Sequence, residues 1–379
     1  MHAAADKLWP WGKSSHTIEV TQLPAAASEP TTNADPAKAP AQLPGASLSD
    51  PGNAQQPASA DAAASPALVA PADTPQLVVP ELPPILSYWE TIDGGYTGLT
   101  GTAGKVLHAV TGGDFVKFVA PVALTVQGDY LYVVDMGLDT LLRFNLITRR
   151  MERIMDLHGL ISGEVYDIYV RPDFSFFITD TNAARVLYFN AAGTLKRIYE
   201  NKLNLVWPVA VTEDPQTGDL LIADGEFDHI LVFNAKGELV TAVGGRGNEP
   251  GKFLNVTALA HNSDTFFVAA RVGQKIQALD HNGDYLYSFP QESVTFPMAM
   301  AADDEFRLFV GDYLDNSIKV YDRGRFVTSI GGSGVGPGSF KRITDLHVAK
   351  EFLYVADSLN SRVQVLKIAA SSPPLLTDQ

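Results

Sequence analysis

The chain repeats one phrase six times between about residues 118 and 366: a hydrophobic strand, a small residue or Asp, a turn and a second strand. The clearest copies read LYVVDMGLDTLLRF, FFITDTNAARVLYF, LLIADGEFDHILVF, LFVGDYLDNSIKVY and LYVADSLNSRVQVL. The marker position holds Asp135, Asp180, Asp224, Ala270, Asp312 and Asp357, in that order. Successive markers lie 45, 44, 46, 42 and 45 residues apart. This regular period predicts a repeat architecture in which every copy folds as the same unit.

Each copy also predicts four short antiparallel strands. A first strand such as PVALTV (121–126) precedes the marker strand, and a third strand ends on an apolar anchor nine residues after the marker. The anchors are Phe144, Phe189, Phe233, Leu279, Tyr321 and Leu366. In several copies a Gly turn leads into a fourth strand, as in GELVTAV and GRFVTSI. Four strands per period of about 45 residues are typical of a β-propeller blade, so we predict an all-β, six-bladed β-propeller.

The first strands share a column of small residues, interrupted twice by Asp. The column contains Ala123, Asp167, Ala210, Ala258, Ala299 and Asp345. Small side chains are expected where six innermost strands converge on a central axis. The next residue of each strand is apolar, as the strand period of two requires for packing between blades.

The sixth copy stops after its third strand, so the ring needs a fourth strand from elsewhere. Upstream of the first copy, GKVLHAVTGGDFVKF matches GELVTAVGGRGNEPGKF and GRFVTSIGGSGVGPGSF. The match predicts that an N-terminal strand, Lys105–Val110, completes the last blade. Pairing the two ends of the chain in one sheet would remove exposed strand edges and close the ring.

Composition divides the rest of the chain. Residues 21–85 are dominated by Ala, Pro, Ser, Gln and Asp, which predicts a disordered, Pro-stiffened linker. We therefore divide the sequence into an N-terminal segment (1–20), this linker, a lead-in segment (86–103), the propeller (104–368) and a C-terminal tail (369–379).

Charge and cysteine content exclude several function classes. The formal net charge is -15, and no Lys/Arg cluster offers the basic surface that nucleic acid requires, so nucleic acid is not an expected partner. The chain has no cysteine, which excludes disulfides, thiol catalysis and Cys-ligated metals.

Targeting signals leave two interpretations open. No segment has the length and apolarity of a transmembrane helix, so direct membrane insertion is not expected. The first 17 residues lack the apolar core of a signal peptide. The protein is cytoplasmic if Met1 is the true start. An export signal or lipid anchor upstream of Met1 would instead make it extracytoplasmic, and a long Ala/Pro/Ser linker resembles those of bacterial envelope proteins and lipoproteins.

LYVADSLNSRVQVL (353–366) resembles the NHL repeat family, with Asn360 and Arg362 at the family's Asn and Arg positions. Arg185 and Asn316 match these positions in other copies, whereas His229 replaces the Arg in the third copy. The resemblance covers about residues 104–366 and implies a six-bladed propeller of a family whose members are mostly recognition or scaffold domains. Related six-bladed propellers include metal-dependent lactonases, an amidating lyase and strictosidine-synthase-like proteins, and fold alone does not choose among these.

The repeated marker aspartates favour a structural role, because five equivalent copies imply five equivalent tasks. We expect each carboxylate to accept hydrogen bonds from backbone N–H groups of the following turn. We expect Arg185 and Arg362 to brace neighbouring turns.

Five polar residues of the first strands are candidates for lining the central channel: Asp167, Glu213, His261, Asp345 and His347. Converging carboxylates and imidazoles could bind a divalent cation or perform acid–base chemistry. The alternative is that they cap loops or hold ordered water. The strand period also sends adjacent residues to opposite sides, so all five cannot face one point.

The marker turns and the loops between blades carry apolar and cationic side chains where polar ones would suffice. These candidates for a partner-binding face are Met136, Leu138, Phe227, Arg246, Arg271, Lys275, Tyr313, Leu314 and Leu359. Apolar groups rimmed by Arg are typical of protein or peptide sites. The alternative is that these side chains fold back over their own blades.

The sequence therefore favours a non-enzymatic protein- or peptide-binding scaffold on a flexible linker, in a cell-envelope or extracytoplasmic complex. No cofactor is expected for that function. The alternative is a metal-dependent hydrolase or lyase of the six-bladed propeller type, with a divalent cation in the central channel.

Overall fold

A computed structural model describes residues 85–97, 115–273 and 275–370 of the chain. Nearly all regular structure in these residues is β-strand. The chain begins with β1 (Leu86–Ile92), β2 (Gly94–Tyr96) and β3 (Phe115–Lys117), and the last two form a small hairpin of their own. Among the described residues no helix has the length and apolarity needed to cross a membrane.

Five sheets consist of four strands that follow one another along the chain. Blade 1 contains β4 (Pro121–Gln127), β5 (Tyr130–Asp135), β6 (Thr140–Asn145) and β7 (Met151–Asp156). Blade 2 contains β8 (Ile168–Val170), β9 (Phe176–Asp180), β10 (Arg185–Phe189) and β11 (Leu195–Glu200). Blade 3 contains β12 (Pro208–Glu213), β13 (Leu220–Asp224), β14 (His229–Phe233) and β15 (Leu239–Gly244). Blade 4 contains β16 (Leu254–His261), β17 (Phe266–Val272), β18 (Ile276–Leu279) and β19 (Tyr285–Ser288). Blade 5 contains β20 (Pro297–Ala302), β21 (Arg307–Asp312), β22 (Ser317–Asp322) and β23 (Arg325–Gly331).

Blade 6 contains strands from both ends of the part of the chain that the structure describes. It contains β24 (Ile343–Ala349), β25 (Phe352–Asp357) and β26 (Arg362–Ile368), and β1 is its fourth strand. The first strands contact those of neighbouring blades in chain order, and β24 contacts β4. The predicted six-bladed propeller, closed by an N-terminal strand, is therefore confirmed.

The closing strand is not the one predicted. Leu86–Ile92, which the sequence assigned to a lead-in segment, pairs with β26 from Leu86 opposite Ile368 to Ile92 opposite Val363. Leu86 packs in the core between blades 5 and 6, and Ile92 packs in the core between blades 6 and 1. The segment is not preceded by the Gly turn that comes before the fourth strand in several other blades, so alignment of the repeats did not reveal it. Residues 105–110 lie outside the described residues.

The hydrophobic core is divided into six clusters, one for each pair of adjacent blades. The anchors predicted at the ends of the third strands lie in these clusters; Phe144, Leu279 and Tyr321 are almost completely buried. Each blade thus contributes to two clusters, and removal of one blade would expose both.

Antiparallel pairing places the loops of every blade at two ends of the ring. We call the marker face the end formed by the turns after the second strands and by the loops that lead into the first strands. The opposite face carries the turns between first and second strands and between third and fourth strands. All marker positions therefore point to one face.

The marker aspartates are buried hydrogen-bond acceptors. Asp135 accepts the N–H groups of Gly137 and Leu138 in its own turn at 3.0 and 3.1 Å. It also accepts those of Val119 and Ala120, in the loop before the first strand, at 2.7 and 2.9 Å. Each such carboxylate fastens two loops of its blade together, which the sequence did not predict.

The other four markers repeat this arrangement with variations. Asp224 and Asp312 accept backbone N–H groups from both loops. Asp180 accepts one backbone N–H from the preceding loop and Asp357 accepts two, and an arginine, Arg185 or Arg362, donates to the other oxygen of each carboxylate. Each arginine also donates to backbone carbonyls of that loop. The structural role predicted for the aspartates and both arginines is confirmed, although the backbone N–H groups that Asp180 and Asp357 accept come from the preceding loop and not from the following turn.

The fourth copy, which has Ala270 at the marker position, obtains its carboxylate from the preceding blade. Asp228, completely buried in the marker turn of blade 3, accepts the N–H groups of Asn255 and Val256 at 2.6 and 3.1 Å. Arg246 donates to its other oxygen at 2.8 Å. Asp228 thereby supports the entry to blade 4.

The Gly-rich loops connect blades, as predicted. Gly244 and Gly331 have φ values of 90° and 93°, and a Cβ on either would lie within 3 Å of the ring of Phe253 or Phe340. These phenylalanines are buried between blades. The close approach of ring and backbone requires glycine at both positions.

Candidate functional site

A cavity of about 330 Å³ follows the axis of the ring and is lined by the first strands. Four of the five candidates for lining the channel lie on its wall: Asp167, His261, Asp345 and His347. A second cavity, of about 540 Å³, opens on the opposite face and shares His261, Ala302 and Val348 with the first. The two cavities therefore adjoin at these residues.

Glu213, the fifth candidate, is not part of this wall. Its carboxylate forms an ion pair with the Arg171 guanidinium, whose Nε donates at 2.7 Å. Arg171 also stacks on the rings of Phe177 and Tyr188, at 4.8 and 5.0 Å from their centroids. The charge of Glu213 is compensated within its own neighbourhood.

Asp167 and Asp345 play the same part in blades 2 and 6. Asp167 accepts the N–H of Ile168 at 2.7 Å through one oxygen and that of Val211, in blade 3, at 2.8 Å through the other. Asp345 likewise accepts the N–H of Leu346 at 2.7 Å and that of Leu124, in blade 1, at 2.6 Å. Each carboxyl group thus joins the innermost strands of two adjacent blades.

Burial makes both groups weak acids. Loss of solvation raises the pKa of Asp167 to about 7, although two backbone hydrogen bonds oppose the shift. Burial and the negative charge of Asp167 raise the pKa of Asp345 well above its usual range. The two side chains are close enough to repel each other when both are ionised, so the first proton to bind relieves that repulsion.

The two histidines of the channel are held in the neutral form. Burial and the proximity of His261 lower the pKa of His347 to about 4. Burial is also the main cause that lowers the pKa of His261. Nδ1 of His261 lies 3.3 Å from the carbonyl oxygen of Asn262, so Nδ1 carries the proton and Nε2 has a free lone pair.

These side chains fit a divalent cation poorly. Among the described residues there is no group of three or more His, Cys, Asp or Glu placed to hold a metal ion. Both oxygens of Asp167 and both of Asp345 already face N–H donors, which would repel a cation. The hydrogen bonds account for the carboxylates as structural acceptors.

The marker face carries all nine of the candidates for partner binding, because each lies in a marker turn, beside one or in a loop between blades. Phe227, Leu314 and Leu359 are 40, 60 and 56 % exposed. Met136 and Leu138 instead pack against the cores between blades. Both alternatives left open by the sequence therefore occur, at different turns.

The polar members of this set differ in how far they are already engaged. Arg246 pairs with Asp228, and Lys275 donates to the carbonyl oxygen of Val294 at 2.5 Å. Arg271 lies over the ring of Phe296, 4.7 Å from its centroid. Tyr313 packs against the same ring, at 5.2 Å between centroids.

Sequence analysis missed the loops that lead into the first strands, which supply much of the marker face. Trp207, Leu203 and Val335 are exposed there, Leu203 to 82 %. Phe296 and Arg342 also belong to these loops. A signal was available: the residues three positions before the axial column are Ala120, Glu164, Trp207, Asn255, Phe296 and Arg342. These residues differ from repeat to repeat, whereas positions that maintain the common blade structure have similar residues in every repeat.

No protein-family model matches the sequence, and no curated protein matches it either. The solved structures with a similar fold include a streptogramin B lyase, at 13% identity and a TM-score of 0.50 over 67% of this chain and 95% of that one. The virginiamycin B lyase of Staphylococcus aureus has 14% identity and a TM-score of 0.49, over 66% and 96% of the two chains. The hydrazine synthase of Kuenenia stuttgartiensis has 10% identity and a TM-score of 0.49, over 68% and 97%. At 13% identity, the similarity to the streptogramin B lyase supports the propeller fold alone.

Proposed function

We propose that this protein is a non-enzymatic binding module of the NHL type that recognises a protein or peptide on its marker face. The observation that carries the proposal is the concentration of exposed apolar side chains in the loops of that face. Leu203, Trp207, Leu314, Val335 and Leu359 all lie there and are exposed. Exposed apolar groups of this kind, rimmed by arginine, are typical of interaction sites.

The composition of residues 21–85, which predicts a linker, also supports a role as a binding module. A flexible linker would hold the propeller near whatever its N-terminus joins and raise its effective concentration there. We place the complex in the cell envelope or outside the cytoplasm, in keeping with the Ala/Pro/Ser-rich linker. Cell fractionation with an antibody against the propeller tests the location, and recovery with cytoplasmic markers alone would contradict it.

The proposed binding role of the marker face is tested by comparing the proteins that bind to three full-length forms of the protein. Affinity-tagged wild type, Phe227→Ser/Leu314→Ser and Ile147→Ser are purified from the source cells, and bound proteins are quantified by mass spectrometry. Ile147 is the matched control, because it is 70 % exposed on the opposite face. We expect the double variant to lose partners that Ile147→Ser retains, with melting curves unchanged. Equal partner sets for all three proteins would refute the proposal.

A second candidate function is a hydrolase or lyase that acts in the channel with a divalent cation, although the N–H donors on both oxygens of Asp167 and Asp345 disfavour the cation. It is favoured by the convergence of Asp167, His261, Asp345 and His347, all with shifted pKa values, in one cavity. Metal analysis of the purified protein and melting curves with and without a chelator test it. A stoichiometric metal that raises the melting temperature would favour this candidate.

A further inference from the structure

The marker face of blades 4 to 6 carries a row in which two arginines flank two aromatic rings. The guanidinium of Arg271 lies 4.7 Å from the ring centroid of Phe296, which lies 5.2 Å from that of Tyr313. The guanidinium of Arg342 lies 5.3 Å from the Tyr313 ring and donates to the Tyr313 hydroxyl at 3.1 Å. We call these four residues the arginine–aromatic row. It crosses from the end of β17 to the loop before β24.

Neither arginine of the row forms an ion pair within the part of the chain that the structure describes. Arg271 lies over the Phe296 ring, and Arg342 uses one side-chain nitrogen for the Tyr313 hydroxyl. Other arginines of the same face, Arg185, Arg246 and Arg362, are each paired with a buried aspartate. Two uncompensated guanidiniums are thus displayed on a protein whose net charge is -15.

Stacking on aromatic rings fixes the plane of a guanidinium and leaves its N–H edge available. A planar fork of donors held in this way matches a carboxylate, which it can bind through two parallel hydrogen bonds. The exposed side chains of Leu314 and Leu359, in the adjacent marker turns of blades 5 and 6, add apolar surface beside the row.

We infer that the arginine–aromatic row binds an acidic peptide segment, with one carboxylate on each arginine and apolar side chains between them. The inference rests on the proposed function of the marker face and adds the chemistry of the partner. The two guanidiniums are linked through three consecutive contacts of 4.7, 5.2 and 5.3 Å, so they can lie no farther apart than these contacts laid end to end. Carboxylates four residues apart in an extended segment lie about 13 Å apart, which is within that limit.

The test uses a fluorescein-labelled peptide of about ten residues that contains Glu-Leu-Phe-Leu-Glu, and the same peptide with Gln in place of both Glu. Binding to the full-length protein is measured by fluorescence anisotropy. We expect the Glu peptide to bind more tightly than the Gln peptide, and its affinity to fall as salt is added. Arg271→Gln and Arg342→Gln should each weaken binding by about threefold to tenfold.

Arg323→Gln is the matched control. Arg323 also lies over a phenylalanine, Phe306 at 5.8 Å, but on the opposite face, so its replacement should leave peptide affinity unchanged. Equal affinity for the Glu and Gln peptides, or equal loss in all three variants, would overturn the inference. So would a single-stranded oligouridine that binds as tightly as the Glu peptide and is lost in the Arg271→Gln and Arg342→Gln variants, because stacked bases would then explain the row.

The outcomes separate this inference from the function it rests on. If the natural partners are lost in Phe227→Ser/Leu314→Ser but retained in Arg271→Gln and Arg342→Gln, the face binds a partner that is not acidic. If they are retained in every variant, the marker face itself is not the binding site.

Discussion

Asp167 and Asp345 occupy the same column position in blades 2 and 6, and each accepts a backbone N–H from the first strand of the next blade. Asp167 binds Val211 at 2.8 Å, and Asp345 binds Leu124 at 2.6 Å. The other four blades have Ala in this column, so these two hydrogen bonds are specific to the junctions between blades 2 and 3 and between blades 6 and 1. They hold first strands together around the axis.

Asp167→Ala tests whether the carboxyl group joins the blades, because it introduces the residue that four blades have at this position. Buried N–H groups of Ile168 and Val211 would lose their acceptor, so we expect the free energy of unfolding to fall by about 2 kcal/mol. Urea unfolding measures it, and Asp322→Ala, at a half-exposed position, serves as the control. A gain in stability would show that the carboxyl group is retained for a task other than joining blades.

The channel groups also predict how stability depends on pH. The pKa of Asp167 is raised from 3.8 to about 7, and that of His347 is lowered from 6.5 to about 4. Between about pH 4 and pH 6.5, the folded protein binds more protons at Asp167 than the unfolded chain does, and fewer at His347. The first effect lowers stability as pH rises and the second lowers it as pH falls, each by up to about 1.4 kcal/mol per pH unit. In the wild type the two effects oppose each other.

Single substitutions should therefore change the slope of the unfolding free energy against pH in opposite directions. His347→Gln leaves the effect of Asp167, so its stability should fall relative to the wild type as pH rises from about 4.5 to 6.5. Asp167→Asn leaves the effect of His347, so its relative stability should fall as pH decreases over the same range. Urea unfolding at about pH 4.5, 5.5 and 6.5 measures both slopes. Parallel curves for all three proteins would show that neither group titrates as the burial implies.

Asp228 supplies the carboxylate that the fourth repeat lacks, and its loss should resemble the loss of a marker. Asp224→Asn places an amide N–H against backbone N–H donors in a buried site, because both carboxylate oxygens accept from such donors. Asp228→Asn places one either against backbone donors or against the Arg246 guanidinium, so we expect each variant to cost about 2–4 kcal/mol. Asp264→Asn, at an exposed turn of blade 4, should change stability by less than about 0.5 kcal/mol. An Asp228→Asn variant as stable as Asp264→Asn would show that blade 4 needs no marker carboxylate.

The repeat made the fold predictable because each feature of the blade occurs several times. A buried acceptor in a turn, an apolar anchor nine residues later and a glycine against Phe253 or Phe340 are each required wherever the blade geometry recurs. Repetition therefore identified the marker aspartates as structural. Asp228 was not predicted, because it compensates for Ala270 from another blade and only the fold brings the two loops together.

The candidate site was less predictable, because its residues do not recur from repeat to repeat. Arg271 and Tyr313 were recognised as unusual turn residues, but their partners Phe296 and Arg342 lie in the loops before the first strands. Each arginine contacts a ring of a neighbouring blade, and no period relates the four residues. The exposure of a turn residue also depends on its neighbours. Met136 packs against the core between blades, whereas Leu314, at a comparable turn, is exposed.

The closing strand gives a final prediction. Leu86 and Ile92, at the two ends of β1, pack into the cores on either side of blade 6. Leu86→Ala and Ile92→Ala should each lower the free energy of unfolding by about 2–4 kcal/mol, because each leaves a cavity between blades. Ser87→Ala, on the same strand but exposed, should have an effect below about 0.5 kcal/mol. If both core variants unfold at the urea concentration of the wild type, β1 does not close the ring in solution, and another segment must pair with β26.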